Sequence, residues 1–260
     1  MLQNRMTLRG NFKPTISQFD SIDSTNLEAI RQAKAGAPEG LCVVAREQTS
    51  GRGRLNRGWE SPKDAGLYLS VILRPQIAME QWPLITLMAA LAVGDALLRS
   101  CDLRADIKWP NDICVNDRKL GGILAETIET NVGMAAILGI GINLRDVAFP
   151  PDISGRAVSV ESAIGTSIDG QFLLQKLVDS IGERYDLLQS LDGGEHTIRE
   201  WCASSSYAFD RRVRVSGIND TFEGVTRGLE NDGALRVETP DGRVRIVRAG
   251  DVTALRATIK

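Results

Sequence analysis

Between residues 105 and 142 four apolar segments follow one another with little between them, at 105–109, 113–115, 119–128 and 134–142. Asn116-Asp117 and Asn131-Val132-Gly133 separate the last three, and both read as tight turns. A parallel pair needs a crossover of about a dozen residues or more. No such length is available here, so these strands are expected to run antiparallel as neighbours. That excludes the strand–helix alternation of a doubly wound parallel sheet. The pattern predicts an α+β fold with a mixed, largely antiparallel sheet and packed helices.

The flanking sequence fills in the rest. Residues 15–22 read as a strand, and Ser24-Thr25-Asn26 opens a helix. Thr25 and Glu28 have the spacing of a capping box, and Gly36 is the expected stop. Strands are predicted at 41–46 and 67–73, then a long apolar helix over about 80–99. Phe149-Pro150-Pro151 ends the strand run, and helices are expected at 158–164, 169–191 and 197–204. Beyond Phe209 the character changes to short alternating strands at 213–215, 222–225, 234–237, 244–247 and 252–255. Gly217, Asn231-Asp232-Gly233 and Pro240-Asp241-Gly242 punctuate them, which predicts a small barrel. The expected division is one domain over 1–206 and a second over 207–260.

Charge and composition narrow the function. Lys+Arg 31 against Asp+Glu 33 leaves a net charge of -2, so no global basic field draws in nucleic acid. With aromatic content of only 5%, a bare RNA-binding module is disfavoured. An anion site must therefore come from local clusters. Residues 1–13 lack the apolar core of a secretory signal. The apolar run at 84–98, interrupted by Gly94 and Asp95, is too short for a bilayer and reads as a buried helix. Cys42, Cys101, Cys114 and Cys202 show no CxxC pairing and suit structural thiols in a reducing cytoplasm.

The single histidine, His196, falls near a helix start, where a surface role is expected; an HExxH metal motif is excluded. No GxxxxGK[ST] loop is present. Gly139-Ile140-Gly141-Ile142-Asn143-Leu144 begins like a dinucleotide fingerprint but has Leu144 in place of the third glycine. Close packing at a strand end explains it equally well.

The chemistry concentrates in residues 47–59, which carry Arg52, Arg54 and Arg57 among Gly51, Gly53 and Gly58, and end at Trp59. Glycines let backbone approach a ligand, guanidinium forks neutralise carboxylate or phosphate, and tryptophan offers an aromatic face. Two lysine-bearing motifs follow, Lys108-Trp109-Pro110-Asn111-Asp112 and Arg118-Lys119-Leu120-Gly121-Gly122. Pro110 fixes the local backbone and so holds Asn111 and Asp112 at a sheet edge.

Taken together, five segments resemble the biotin protein ligases in order and spacing, from about residue 16 onward. They are Asp23-Ser24-Thr25-Asn26, Gln48-x-x-Gly51-Arg52-Gly53-Arg54, Lys108-Trp109-Pro110-Asn111-Asp112, Arg118-Lys119-Leu120-x-Gly122-Ile123-Leu124 and Gly139-x-Gly141-Ile142-Asn143. The resemblance implies a class II synthetase-like catalytic fold plus a small C-terminal SH3-like β-barrel. It also implies a two-step reaction: biotin and Mg-ATP form biotinyl-5′-adenylate, and the biotinyl group passes to a lysine. That lysine would lie on the biotin carrier domain of acetyl-CoA carboxylase or a related carboxylase.

Site roles follow from the same resemblance. Ser24, Thr25, Asn26, Gln48, Gly51, Arg52, Gly53, Arg54, Lys119, Gly121 and Gly122 are expected at biotin. Arg54, Arg57, Trp59, Lys108, Asn111 and Asn143 are expected at the nucleotide. Arg52, Lys119 and Asp112 are the expected catalytic groups, Asp112 as base for the acceptor lysine or as a link to Mg2+. No metal ligand is otherwise assigned. Only about a dozen residues precede the first strand, so neither a helix-turn-helix nor repressor activity is expected. The match is looser at Arg227-Gly228, Gly233-Ala234-Leu235 and Gly250-Asp251, and leaves Arg256 unassigned. A lipoate or octanoyl ligase and a non-enzymatic nucleotide-binding regulator are the competing readings. An exposed sheet edge could pair two copies or receive the carrier domain.

Overall fold

The computed structural model describes residues 12–146, 154–217 and 220–255. Its first part runs β1 (Thr15–Phe19), α1 (Thr25–Lys34), β2 (Leu41–Ala45), β3 (Gly66–Leu73), α2 (Leu84–Cys101), β4 (Asp106–Lys108), β5 (Asp112–Val115), β6 (Arg118–Thr130) and β7 (Gly133–Asn143). These strands form a seven-stranded sheet in the order β1-β2-β3-β7-β6-β5-β4. Only β1 and β2 pair in parallel; the other ladders are antiparallel. The β5–β6 turn takes Asn116 and Asp117 into the left-handed region, at φ 51 and 59, which these two residue types tolerate best.

Period-two alternation gives the sheet two unlike faces. Leu67, Leu69, Val71 and Leu73 of β3 and Ala136, Leu138, Ile140 and Ile142 of β7 enter the main core. Helix α2, apolar on nearly every side, covers that face and packs on α4 (Gly170–Leu188) and α5 (Gly193–Ser204). Burying each of its large side chains, such as Leu84, Ile85, Met88 and Leu97, contributes about 1.5–3 kcal/mol. On the opposite face Ala29 and Ala33 of α1 pack with Val43, Ile72, Ala135 and Ile137. The remainder of that second face stays polar and forms the site.

Local expectations fail at several helix ends. The predicted capping box does not form. Ser24 is the N-cap; the Thr25 hydroxyl donates to Gln48 Oε1 at 3.1 Å, and the Glu28 carboxylate accepts from Arg31 and Gln32. The long helix starts at Leu84 rather than near 80. Met79–Gln81 form a separate 3-10 turn, and Pro83, with no N–H to offer, marks the junction. Asp169 caps α4 through Gln171 N and Phe172 N, while α5 begins at Gly193, earlier than expected. His196 lies in the first turn of α5. A short helix α3 (Val160–Ile164) precedes α4, capped by Ser159. Phe149-Pro150-Pro151 and Arg256 lie outside the described residues.

The last part holds β8 (Phe209–Ser216), β9 (Thr221–Leu229), β10 (Leu235–Glu238), β11 (Val244–Val247) and β12 (Asp251–Ala254). They form one five-stranded antiparallel sheet in the order β11-β10-β9-β8-β12, whose two end strands are not paired with each other. Val213, Val215, Leu235, Val237 and Val252 point inward and join the core beneath α2. Trp109 Nε1 donates to Gly233 O at 3.0 Å across the junction. Both sheets thus share one apolar core. All four cysteines are free, and burial pushes the Cys42 and Cys114 thiols up to about 12.

Candidate active site

The polar face of the larger sheet forms the floor of a cleft of 1320 Å³, walled by the arginine loop and by β12. Nine basic and four acidic residues line it, although the chain as a whole carries a net charge of -2. The positive field is therefore local. The Gly-x-Gly of β7 explains the depth of this floor. A Cβ on Gly139 would lie 2.1 Å from Asn26 Oδ1, and one on Gly141 2.5 Å from Trp59 Nε1. These glycines admit the start of α1 and the Trp59 indole against bare backbone. They form no dinucleotide turn.

A hydrogen-bond network fixes one end of the cleft. Gln48 Oε1 accepts from Thr25 N at 2.8 Å, and Gln48 Nε2 donates to Ser61 Oγ at 2.7 Å. Ser70, on the polar face of β3, places its hydroxyl 2.6 Å from Asn26 Oδ1 and 2.8 Å from Thr25 Oγ1. Asn26 Nδ2 donates to Glu126 Oε2 at 2.8 Å, and Glu126 also pairs with Arg52 at 3.0 Å. Ser24, Thr25 and Asn26 are all buried. Sequence reading missed Ser70 and Glu126. Period-two alternation with Gly122 and Leu124 puts Glu126 on this face, the one sequence signal able to find it.

The arginine loop is tied to its surroundings on both sides. Trp59 N donates to Gly51 O at 2.9 Å and Gly53 N to Arg57 O at 2.8 Å. Arg54 donates to Asn111 Oδ1 at 3.0 Å and reaches Gly250 O at 3.5 Å, while Arg57 pairs with Asp251. Burial lowers the Arg54 guanidinium from its ordinary value, against the opposing pull of Asp251 and Asp112. Two expected pocket residues are displaced. Gly51 packs under Trp59 O, 2.2 Å from where its Cβ would be, and Gly121 lies under Gly141 O at 2.7 Å. Neither lines the cleft; both are needed for backbone approach.

At the centre, Asp112 opens β5 and Lys119 sits near the start of β6 across a register shift at Ile113/Cys114. Lys119 Nζ lies 2.5 Å from Asp112 Oδ1 and 5.5 Å from the Trp59 ring centroid. Lys108 Nζ stands 3.9 Å from the other carboxylate oxygen. Asn111 Nδ2 donates to Ile123 O at 2.8 Å. Asn143 was expected to reach a nucleotide. It lines the cleft, and its Nδ2 spans to Val158 O at 3.2 Å and Lys119 O at 3.5 Å, so it also braces the wall. That wall includes Arg156 and Ala157, which line the cleft beside Lys119 and which no motif announced. Ser24, Thr25, Asn26, Gln48, Arg52, Gly53, Arg54, Arg57, Trp59, Lys108, Asn111, Asp112, Lys119, Gly122 and Asn143 all line this one cleft. The arrangement can neutralise two anions held side by side.

Known proteins match both parts of the chain. Residues 18–143 match the Biotin/lipoate A/B protein ligase family, and residues 208–253 match the Biotin protein ligase C terminal domain. A bifunctional ligase/repressor BirA from Bacillus spizizenii is 36% identical over 233 residues, spanning 88% of this chain and 71% of that protein. A biotin--[acetyl-CoA-carboxylase] ligase from Paracoccus denitrificans is 32% identical over 237 residues, spanning 88% of this chain and 96% of its own. The biotin protein ligase from Aquifex aeolicus, solved in complex with biotin and ATP, superposes with a TM-score of 0.80. It is 27% identical and covers 95% of this chain and 100% of that one.

Proposed function

Given that the chain belongs to the biotin protein ligase family, we propose that its cleft activates biotin with ATP as biotinyl-5′-AMP and transfers the biotinyl group to a lysine of a carboxylase carrier domain. The observation that carries this reading is the convergence of Arg52, Lys119 and Asp112 from three separate segments on one cleft.

In the first step a biotin carboxylate oxygen attacks the α-phosphorus of ATP, and both groups are anionic. Fixed cations reduce that repulsion without reorganising. Arg52 and Arg54 hold oxyanions bidentately, and Lys119 stands between carboxylate and phosphate. Trp59, packed on Gly122 and Gly141, makes the apolar wall. The buried start of α1, with Ser24, Thr25, Asn26 and Gln48, binds the polar biotin head.

In the second step the acceptor lysine must lose a proton, its free pKa being about 10.4. Lys119 neutralises Asp112 in this structure. Once substrate oxyanions engage Lys119, Asp112 is free to take that proton. Water must be kept from the acyl-adenylate meanwhile, and the arginine loop tied to Asp251 provides a cover.

Magnesium belongs to this reading as a companion of ATP. Among the described residues no three His, Cys, Asp or Glu side chains form a metal cage. Mg2+ held through one carboxylate and substrate phosphates needs none, and Asp112 with Asn111 would meet it. When bound, it neutralises phosphate charge during adenylation. Free thiols suit a reducing cytoplasm. The edge strands β1 and β4 could accept a second copy or the carrier domain.

Incubation with biotin, Mg-ATP and an apo carrier domain, read with avidin, tests the reading. Biotinylation that excess lipoate does not suppress is the expected result. Lipoylation in preference to biotinylation would overturn it, and nucleotide binding without pyrophosphate release would make the protein a regulator instead.

A further inference from the structure

At the buried start of α1 the hydrogen bonds leave little freedom in where the protons lie. Partners behind the cleft fix the orientation of both side-chain amides. Asn26 Nδ2 is committed to Glu126 Oε2 at 2.8 Å and to Leu124 O at 3.4 Å, so Asn26 Oδ1 faces Ser70. Ser61 Oγ gives its one proton to Trp59 O at 3.1 Å and accepts from Gln48 Nε2 at 2.7 Å. That turns Gln48 Oε1 toward Thr25. A hydroxyl has a single proton to donate, and an amide oxygen can only accept. Ser70, fully buried on β3, therefore donates to Asn26 Oδ1, 2.6 Å away. Its oxygen is left to accept from Thr25 Oγ1, at 2.8 Å. The Thr25 hydroxyl thus stands between two acceptors, Gln48 Oε1 and Ser70 Oγ. Its proton is held on the protein side, and toward the cleft that Thr25 lines it presents lone pairs.

We propose that Ser70 is a positioning residue for head-group choice. By taking the Thr25 proton it holds that hydroxyl as an acceptor, so the pocket selects a ring that donates N–H, as a cyclic urea does, over a ring with no donor, such as a dithiolane. The inference rests on the biotin reading and names what enforces it. Ser70 does not itself line the cleft and acts through Thr25 and Asn26. Thr25 is buried, so a ring without N–H leaves its lone pairs unpaired and away from water. A ring oxygen in place of N–H is worse, because two acceptors then face each other. With the Ser70 hydroxyl removed, only the longer 3.1 Å contact to Gln48 Oε1 retains the Thr25 proton. The hydroxyl can then turn toward the ligand, and the discrimination weakens.

The test is equilibrium dialysis of four ligands against the wild type and Ser70→Ala. They are biotin, lipoate and the two carbamate analogues of biotin in which one or the other ring N–H is replaced by oxygen. Ser70→Ala removes a single oxygen from a strand, and circular dichroism checks that the fold is kept. The wild type should bind one of the two carbamates roughly tenfold or more weakly than biotin, the worth of one hydrogen bond. In Ser70→Ala the Kd for biotin should rise roughly tenfold, while that for the disfavoured carbamate stays within about twofold. The kcat for adenylation should be little altered. If the wild type binds lipoate as well as biotin, the biotin reading fails and the Ser70 relay with it. If the wild type prefers biotin but Ser70→Ala weakens biotin and both carbamates by one common factor, Ser70 merely supports the pocket and the relay alone is wrong. Unchanged biotin affinity in Ser70→Ala also overturns it, as does a wild type that binds both carbamates as tightly as biotin.

Discussion

The two faces of the seven-stranded sheet are made by the same strands and follow opposite rules. Toward α2, β3 and β7 present Leu67, Leu69, Val71, Leu138, Ile140 and Ile142, packed with no polar group among them. Toward the cleft the intervening residues include Ser70, Gly139, Gly141 and Asn143, with Gly122 and Glu126 from β6 beside them. Shape on the first face comes from filling space. On the second it comes from leaving space out, so that the α1 start and an indole can reach backbone. One face carries stability, and the other carries charge at a stability cost that the first offsets.

Substitutions on each face should separate these roles. The largest effect belongs to Asp112→Ala, which should slow transfer from pre-formed biotinyl-5′-AMP to an apo carrier domain by about 10²–10⁴-fold, a general-base loss. That variant should still form some adenylate, slowed far less than the transfer step. Normal transfer would show that Asp112 is not the base. Next comes the opposite face. Leu97→Ala, at a fully buried position, should cost about 2–5 kcal/mol in urea unfolding while leaving kcat/KM of the folded fraction unchanged. A large kinetic defect there would break the contrast between faces.

The smallest effect tests the brace between cleft residues. Glu126 holds both Arg52 and Asn26. Glu126→Gln should raise the biotin KM roughly tenfold, since hydrogen bonds to a charged group are lost, with kcat little altered and Glu126→Asp recovering part. Equal falls in kcat and kcat/KM would instead place Glu126 in the chemistry itself.

Much of this contrast was legible in the chain, though unevenly. The antiparallel middle of the sheet followed from turns too short for a crossover, and Asn116-Asp117 adopt the left-handed turn their identities favour. The motif lysines, arginines and Asp112 could be named because five segments resemble the biotin protein ligases in order and spacing. Other features were set by long-range contacts. Thr25 and Glu28 matched a capping box, but Gln48, distant in sequence, won the Thr25 hydroxyl. Gly51 and Gly121 looked like ligand glycines because sequence does not reveal whether bare backbone meets a ligand or another strand. Arg156, Ala157, Tyr207 and Arg211 belong to no motif and enter the cleft only through tertiary packing.

Rapid-quench measurement of biotinyl-5′-AMP formation in Arg52→Ala, Lys119→Ala and the double variant bears most directly on the central claim, that cations from separate segments act together on two oxyanions. Each single change should slow adenylation by about 10²–10³-fold. The double variant should be slowed by less than the product of the two, as expected when both groups serve one transition state. Wild-type rates in both single variants would contradict the account.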